Sequence, residues 1–137
     1  MSAEKKLNFL GDYIEGRWIR HENVDEEWVV ASPANLKDEV FRPAAKFENV
    51  NLAVEAARKA FLPWAHLGLE KRKMHLARLK EVFLSRGAEL SEIIARETGK
   101  PLWETKTEAA ALINKIDITL NYSLELVAEQ EIKDALP

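Results

Sequence analysis

The chain has 137 residues, a formal net charge of −3, and 47% hydrophobic against 31% charged residues, the balance of a globular unit with its own core. No basic excess favours nucleic acid or an anionic membrane, and no apolar run is long enough to cross a bilayer or serve as a secretory leader, so the expected compartment is the cytoplasm. Cysteine is absent, which removes disulfides, zinc–thiolate centres and any cysteine nucleophile from these residues.

Residues Met1 to Lys6 are polar and expected to fray. The run from Gly11 to Ile19 reads as a tight hairpin, with Tyr13-Ile14 and Trp18-Ile19 flanking a glycine turn. A second extended segment is expected over Trp28-Val29-Val30-Ala31, stopped by Ser32-Pro33, and a third over Glu39-Val40-Phe41-Arg42, fading through Pro43. Three strands within about residues 12–47 make a thin antiparallel platform, too small to stand alone.

The period then changes. Apolar residues at 50, 53/54, 57, 60/61 and 64 predict an amphipathic helix over 50–62, with Asn49 or Asn51 as cap and Pro63 as its end. A second helix is predicted over 69–98, with Leu76, Leu79, Phe83, Leu90 and Ile94 on one stripe. Gly87 lies in that stripe, where a glycine costs about 1 kcal/mol and marks either a close crossing with another helix or strand or a tolerated defect. A third helix is predicted over 101–129, with a stripe of Ala109, Ile113, Ile116, Leu120, Leu124 and Val127 broadened by Ala110, Leu112, Ile118 and Ala128. An apolar arc that wide expects neighbours on more than one side. The pattern dissolves from Ala128 to Pro137, and no repeat or linker divides residues 1–137, which read as one unit.

Between the last two helices stands Glu97-Thr98-Gly99-Lys100-Pro101-Leu102-Trp103-Glu104. Gly99 suits a left-handed helix end, Lys100 suits the negative pole of the dipole, and Pro101 suits the start of the next helix. These residues resemble the Glu-Thr-Gly-Lys-Pro signature of NAD(P)-dependent aldehyde dehydrogenases. The likeness runs from about Phe9 to Leu126. Gly11 to Trp18 is similar to the family's opening hairpin, Ser32-Pro33-Ala34 to its Asn-Pro-Ala segment, and Ala53 to Phe61 with Trp64 to its first helix. Lys46 stands where the family often has a Ser or Thr cap. Asn35 to Val40 departs from the common Thr-Gly-Glu continuation and looks like the pyrroline-carboxylate and succinylglutamate-semialdehyde branches. Glu97 to Glu108, with Ala110, Ile113, Lys115 and Ile116, looks most like the succinylglutamate-semialdehyde branch of arginine catabolism.

The resemblance implies an α+β fragment: short antiparallel strands followed by three helices, the N-terminal part of an aldehyde dehydrogenase-like α/β fold. It implies oxidation of a (semi)aldehyde to a carboxylate through a cysteine thiolate, with hydride passing to NAD or NADP. The family's cysteine, glutamate base, oxyanion asparagine and Rossmann segment lie downstream of the part this chain resembles. The 137 residues are therefore expected to lack catalytic residues, to bind no cofactor alone, and to work with the remainder of a dehydrogenase chain or a homologous subunit in a homo-oligomer. A fragment, a truncated reading frame and a split gene all fit.

By the same resemblance, Glu97 and the carbonyls of Val30 and Ala31 would hold a structural monovalent cation, since oxygen ligands suit a hard ion. Asn114 and Lys115 map near the substrate entrance, where they would meet a carboxylate-bearing aldehyde. Glu104 and Glu108, four apart beside Lys100 and Lys106, read as surface charge. His21, His66 and His75 show no site spacing, and Trp18, Trp28, Trp64 and Trp103 read as packing. A reading from another class is a stand-alone helical interaction module that binds a partner through the third helix. A decayed gene with exposed apolar surface is a third.

Overall fold

The computed structural model describes residues 6–129. The expected features of residues 1–5 and 130–137 lie outside the described residues. β1 (Asp12–Ile14) pairs with β2 (Arg17–Ile19) in the expected hairpin. Its two-residue turn places Glu15 at φ 55° and Gly16 at φ 81°, the double left-handed geometry that matches strand twist. Tyr13 sits opposite Trp18 and their rings lie 5.1 Å apart.

The remaining extended region departs from the three-strand expectation. β3 (Glu26–Glu27) pairs with β6 (Ala44–Ala45), and β4 (Val30–Ser32) pairs with β5 (Asn35–Phe41), so six short strands form three antiparallel ribbons. Trp28 and Val29 fall between β3 and β4. The Trp28 N–H is bonded instead to the Pro43 carbonyl, 3.1 Å away, which extends the β3–β6 side. Two-residue strands carry too little pattern to be read from sequence.

α1 (Glu48–His66) runs through Pro63 and does not end there. The proline removes one N–H in an exposed last turn, where a freed carbonyl is open to solvent and the loss is tolerated. Neither asparagine is the cap: the cap position is Phe47 and makes no side-chain bond. The single helix expected over 69–98 is two, α2 (Leu69–Ser85) and α3 (Gly87–Thr98), broken at Arg86 with φ −113° and ψ 14°. Arg86 serves both, as its N–H bonds the Val82 and Phe83 carbonyls and its carbonyl accepts from Leu90 N. α4 (Leu102–Asn121) ends eight residues short of 129, and a 3₁₀ turn follows over Ser123–Val127.

The class is α+β, as expected, with four helices among the described residues. α3 packs on α4 and on β4, and α2 packs on α4. Val40 of β5 and Thr105 of α4 are fully enclosed, and Ile14, Pro43, Ala109 and Ile116 are also buried among the described residues. Small polar residues are buried on both α3 and α4. Ser91 is buried with its hydroxyl on the Gly87 carbonyl at 2.8 Å, and Thr105 returns its hydroxyl to Leu102 at 3.2 Å. Self-satisfied hydroxyls let helices approach without stranding a polar group.

The α3–α4 connection depends on Gly99. Its φ is 73°, its N–H bonds the Ala95 carbonyl at 2.9 Å, and a Cβ there would lie 3.1 Å from Ala34 N and 3.2 Å from Pro33 Cβ. Gly87 is different: a Cβ would meet only Ile113 Cδ1, at 3.9 Å. Gly99→Ala is expected to lower unfolding free energy by about 1–2 kcal/mol, while Gly87→Ala leaves it unchanged or slightly raised. Paired urea titrations of the two variants check this.

Candidate functional site

The segment that carries the family resemblance is a packed junction. Glu97 to Pro101 closes α3 and opens α4, and Gly99 presses on the β4–β5 turn at Pro33-Ala34. Thr98 donates its hydroxyl to the Ile94 carbonyl at 2.7 Å. Lys100 reaches Glu108 and, at 3.5 Å, Glu104, and the bond to Glu108 raises its pKa. The two glutamates are thus occupied with one lysine, the surface pairing read from their spacing.

Glu97 lies exposed in the last turn of α3. It borders a recess of about 350 Å³ lined mainly by Leu7 to Gly11, Trp18 and Phe41. Val30 and Ala31 belong to β4, on which α3 packs, opposite Phe41 and Glu39 of β5. The three expected cation ligands therefore sit on adjoining elements. Among the described residues no group of three or more His, Asp or Glu side chains is placed to hold a metal ion. One carboxylate with two main-chain carbonyls is a set of a different kind. Asn114 and Lys115 are exposed on α4, between half-buried Ile113 and buried Ile116.

Three polar anchors escaped the sequence reading. Arg96 forks onto Asp38, Nε to Oδ2 at 3.0 Å and Nη2 to Oδ1 at 2.7 Å, with side chains only 12% and 7% exposed. It joins α3 to β5 across 58 positions. Asp12 Oδ2 takes bonds from Asn49 Nδ2 and His21 Nε2, each 2.9 Å, fastening the first turn of α1 to the hairpin. The His21 ring is also edge-on to Phe9 at 5.8 Å, and its Nδ1 is buried without a hydrogen-bond partner among the described residues. Asp25 does the work expected of a local cap, accepting from Phe47 N–H at 2.7 Å and from Lys46 Nζ at 3.1 Å. None of these pairs shares a helical or strand spacing, so no local pattern announces them.

A groove of about 570 Å³ lies between the hairpin and the start of α1 and is walled by Tyr13, Ile14, Trp28, Phe47, Val50 and Ala53. Its polar members Asp12, Lys46 and Asn49 are held by the bonds above. A dinucleotide crevice needs parallel strands feeding a glycine-rich turn, whereas every described strand pair is antiparallel.

Residues 18–135 match the model of the aldehyde dehydrogenase family, and the chain belongs to that family. It is 40% identical over 118 residues to the N-succinylglutamate 5-semialdehyde dehydrogenase of Chromobacterium violaceum, a match covering 86% of this chain and 24% of the relative. The chain thus spans about a quarter of the relative's length. No solved structure matches it significantly. No described helix is long and apolar enough to cross a membrane.

The Asp25 cap makes stability depend on pH. The Phe47 N–H, then Lys46, hold its carboxyl below the ordinary 3.8. A depressed folded-state pKa means the contribution is complete above about pH 3.8 and fades as pH falls below it. Asp25→Ala is expected to lower the urea midpoint at pH 6, with the gap from wild type narrowing by pH 3.

Proposed function

We propose that this chain is the N-terminal segment of an NAD(P)-dependent aldehyde dehydrogenase that oxidises a semialdehyde to a carboxylate, with N-succinylglutamate 5-semialdehyde of arginine catabolism as its substrate. The observation that carries the reading is the 40% identity to the C. violaceum enzyme, sustained over 86% of the chain. The segment contributes no catalytic group. Its 137 residues contain no cysteine for a thiolate, and the thiolate, the base and the NAD or NADP site belong to the remaining polypeptide of a cytoplasmic homo-oligomer.

Within that enzyme the segment has two tasks. Its junction at Glu97 to Pro101 scaffolds the fold, with Glu97 and the carbonyls of Val30 and Ala31 around a structural monovalent cation. Asn114 and Lys115 stand at the substrate entrance, where an ammonium attracts the carboxylates of an acidic semialdehyde before any contact is made.

The test is reconstitution. Fusing this chain to the part of the C. violaceum enzyme beyond the matched segment is expected to give NAD(P)H formation with N-succinylglutamate 5-semialdehyde, and the 137 residues alone none. Lys115→Gln in the fusion is expected to raise KM for this substrate about tenfold, or 1.4 kcal/mol, with KM for an uncharged aldehyde unchanged. A soluble fusion that oxidises neutral aldehydes but not the succinylated one would overturn the substrate assignment.

A further inference from the structure

Lys80 of α2 is joined to Asp117 of α4 across 37 positions, its ammonium on both carboxylate oxygens at 2.7 and 2.6 Å. The two side chains are 29% and 36% exposed, half-buried where α2 packs on α4. Asp117 stands two residues from Lys115, a backbone separation of about 5–6 Å in a helix. Side chains two apart on a helix do not face one another, so Asp117 is no partner for Lys115. Its charge still acts over that distance, and Lys80 is the cation set against it.

The wider charge pattern of α4 follows the same plan. The helix carries Glu104, Glu108 and Asp117 against Lys106 and Lys115, so it is negative on its own. Each acid is met from outside the helix, Glu104 and Glu108 by Lys100 and Asp117 by Lys80. Lys115 is exposed and has no ion pair among the described residues. Its helical neighbours three and four positions away, Ala111, Leu112, Ile118 and Thr119, are all uncharged. The acids nearest this ammonium are thus matched by borrowed cations, and the ammonium itself is left unmatched.

We infer that Lys80 sets the preference for anionic aldehydes without touching them: by neutralising Asp117 it leaves the Lys115 ammonium as the uncancelled charge on this stretch of α4. This rests on the entrance role proposed above for Lys115. Unmatched, the Asp117 carboxylate repels any carboxylate drawn towards Lys115, and the repulsion grows with the number of carboxylates the aldehyde bears. A neutral aldehyde does not sense it. Lys80 is a positioning residue of charge, acting through Asp117 on the field around Lys115.

The experiment reads the potential at Lys115 directly, on the 137-residue chain. A carboxylate-bearing nitroxide and its neutral amide analogue are added in turn, and the relaxation each causes at the amides of residues 114–116 is measured by NMR. Lys80→Met is expected to lower the anionic-to-neutral ratio there about twofold at low salt, with the difference fading near about 0.5 M salt. Adding Asp117→Asn to Lys80→Met is expected to restore the ratio, and Lys80→Arg to keep it. The restoration separates charge from a merely structural tie, which the double variant leaves broken. A ratio unmoved by Lys80→Met overturns the inference, as does a fall that Asp117→Asn does not reverse. In the fusion described above, Lys80→Met is expected to raise KM for N-succinylglutamate 5-semialdehyde about threefold, with kcat and the KM for a neutral aldehyde unchanged. A KM that stays put, or that rises alike for both aldehydes, overturns it too. A fusion inactive on every aldehyde tried sinks the function proposed above, and the nitroxide ratio then decides the inference alone.

Discussion

A guanidinium fork holds the strand half of this chain to its helical half. Arg96 projects from α3 onto Asp38 of β5 with both ends of the pair nearly enclosed, and few apolar side chains share the load: among the described residues Ile14, Val40, Pro43, Ala109 and Ile116 are buried. In a thick core such a pair is often replaceable by hydrophobes of similar size, but removing one partner alone commonly costs about 3–5 kcal/mol. Against a typical total stability of about 5–15 kcal/mol, that is a large share. The orientation of α3 on β4, and with it the placement of Gly99 on the Pro33-Ala34 turn, follows from this contact.

The other anchors work the same way. Asp12, His21 and Asn49 fasten α1 to the hairpin, and Asp25 receives the Phe47 N–H at the mouth of α1. Each joins residues 9 to 37 positions apart with directional bonds. Where burial is scarce, geometry is fixed by polar groups, and the apolar faces of α1 and of the chain near Leu126 and Val127 stay open. The residues that carry the family likeness serve as joints in this frame; chemistry is not their task.

Sequence legibility followed the range of the interaction. The Glu15-Gly16 hairpin, the Gly99 helix end and the stripe through Ala109, Ile113 and Ile116 are dictated by neighbours within four residues, and all could be read in advance. The break at Arg86 could not, because α2 and α3 share one apolar register and Gly87 alone marks the change. The passage of α1 through Pro63 was missed because an exposed last turn tolerates the lost bond. β3 and β6, two residues each, exist through pairing with each other. His21 carried no signal at all: its partner Asp12 lies across a hairpin and Asn49 on a later helix. The family was legible from ordered motifs, while the polar anchors beneath them were not.

The contact at Gly99 has a consequence for how this sequence can change. A Cβ added at Gly99 would come within 3.1 Å of Ala34 N and 3.2 Å of Pro33 Cβ, so the turn and the helix end leave little room between them beyond that of a glycine. An added residue in the β4–β5 turn would thrust it into the end of α3, and only a matching deletion or repacking at the helix end could make room. The loop between β2 and β3, residues 20–25, is fastened at His21 and Asp25, while Glu22, Asn23 and Val24 between them face solvent. Length variation during divergence should therefore collect in that loop and spare the turn, with substitutions at 33, 34 and 99 arising as linked sets.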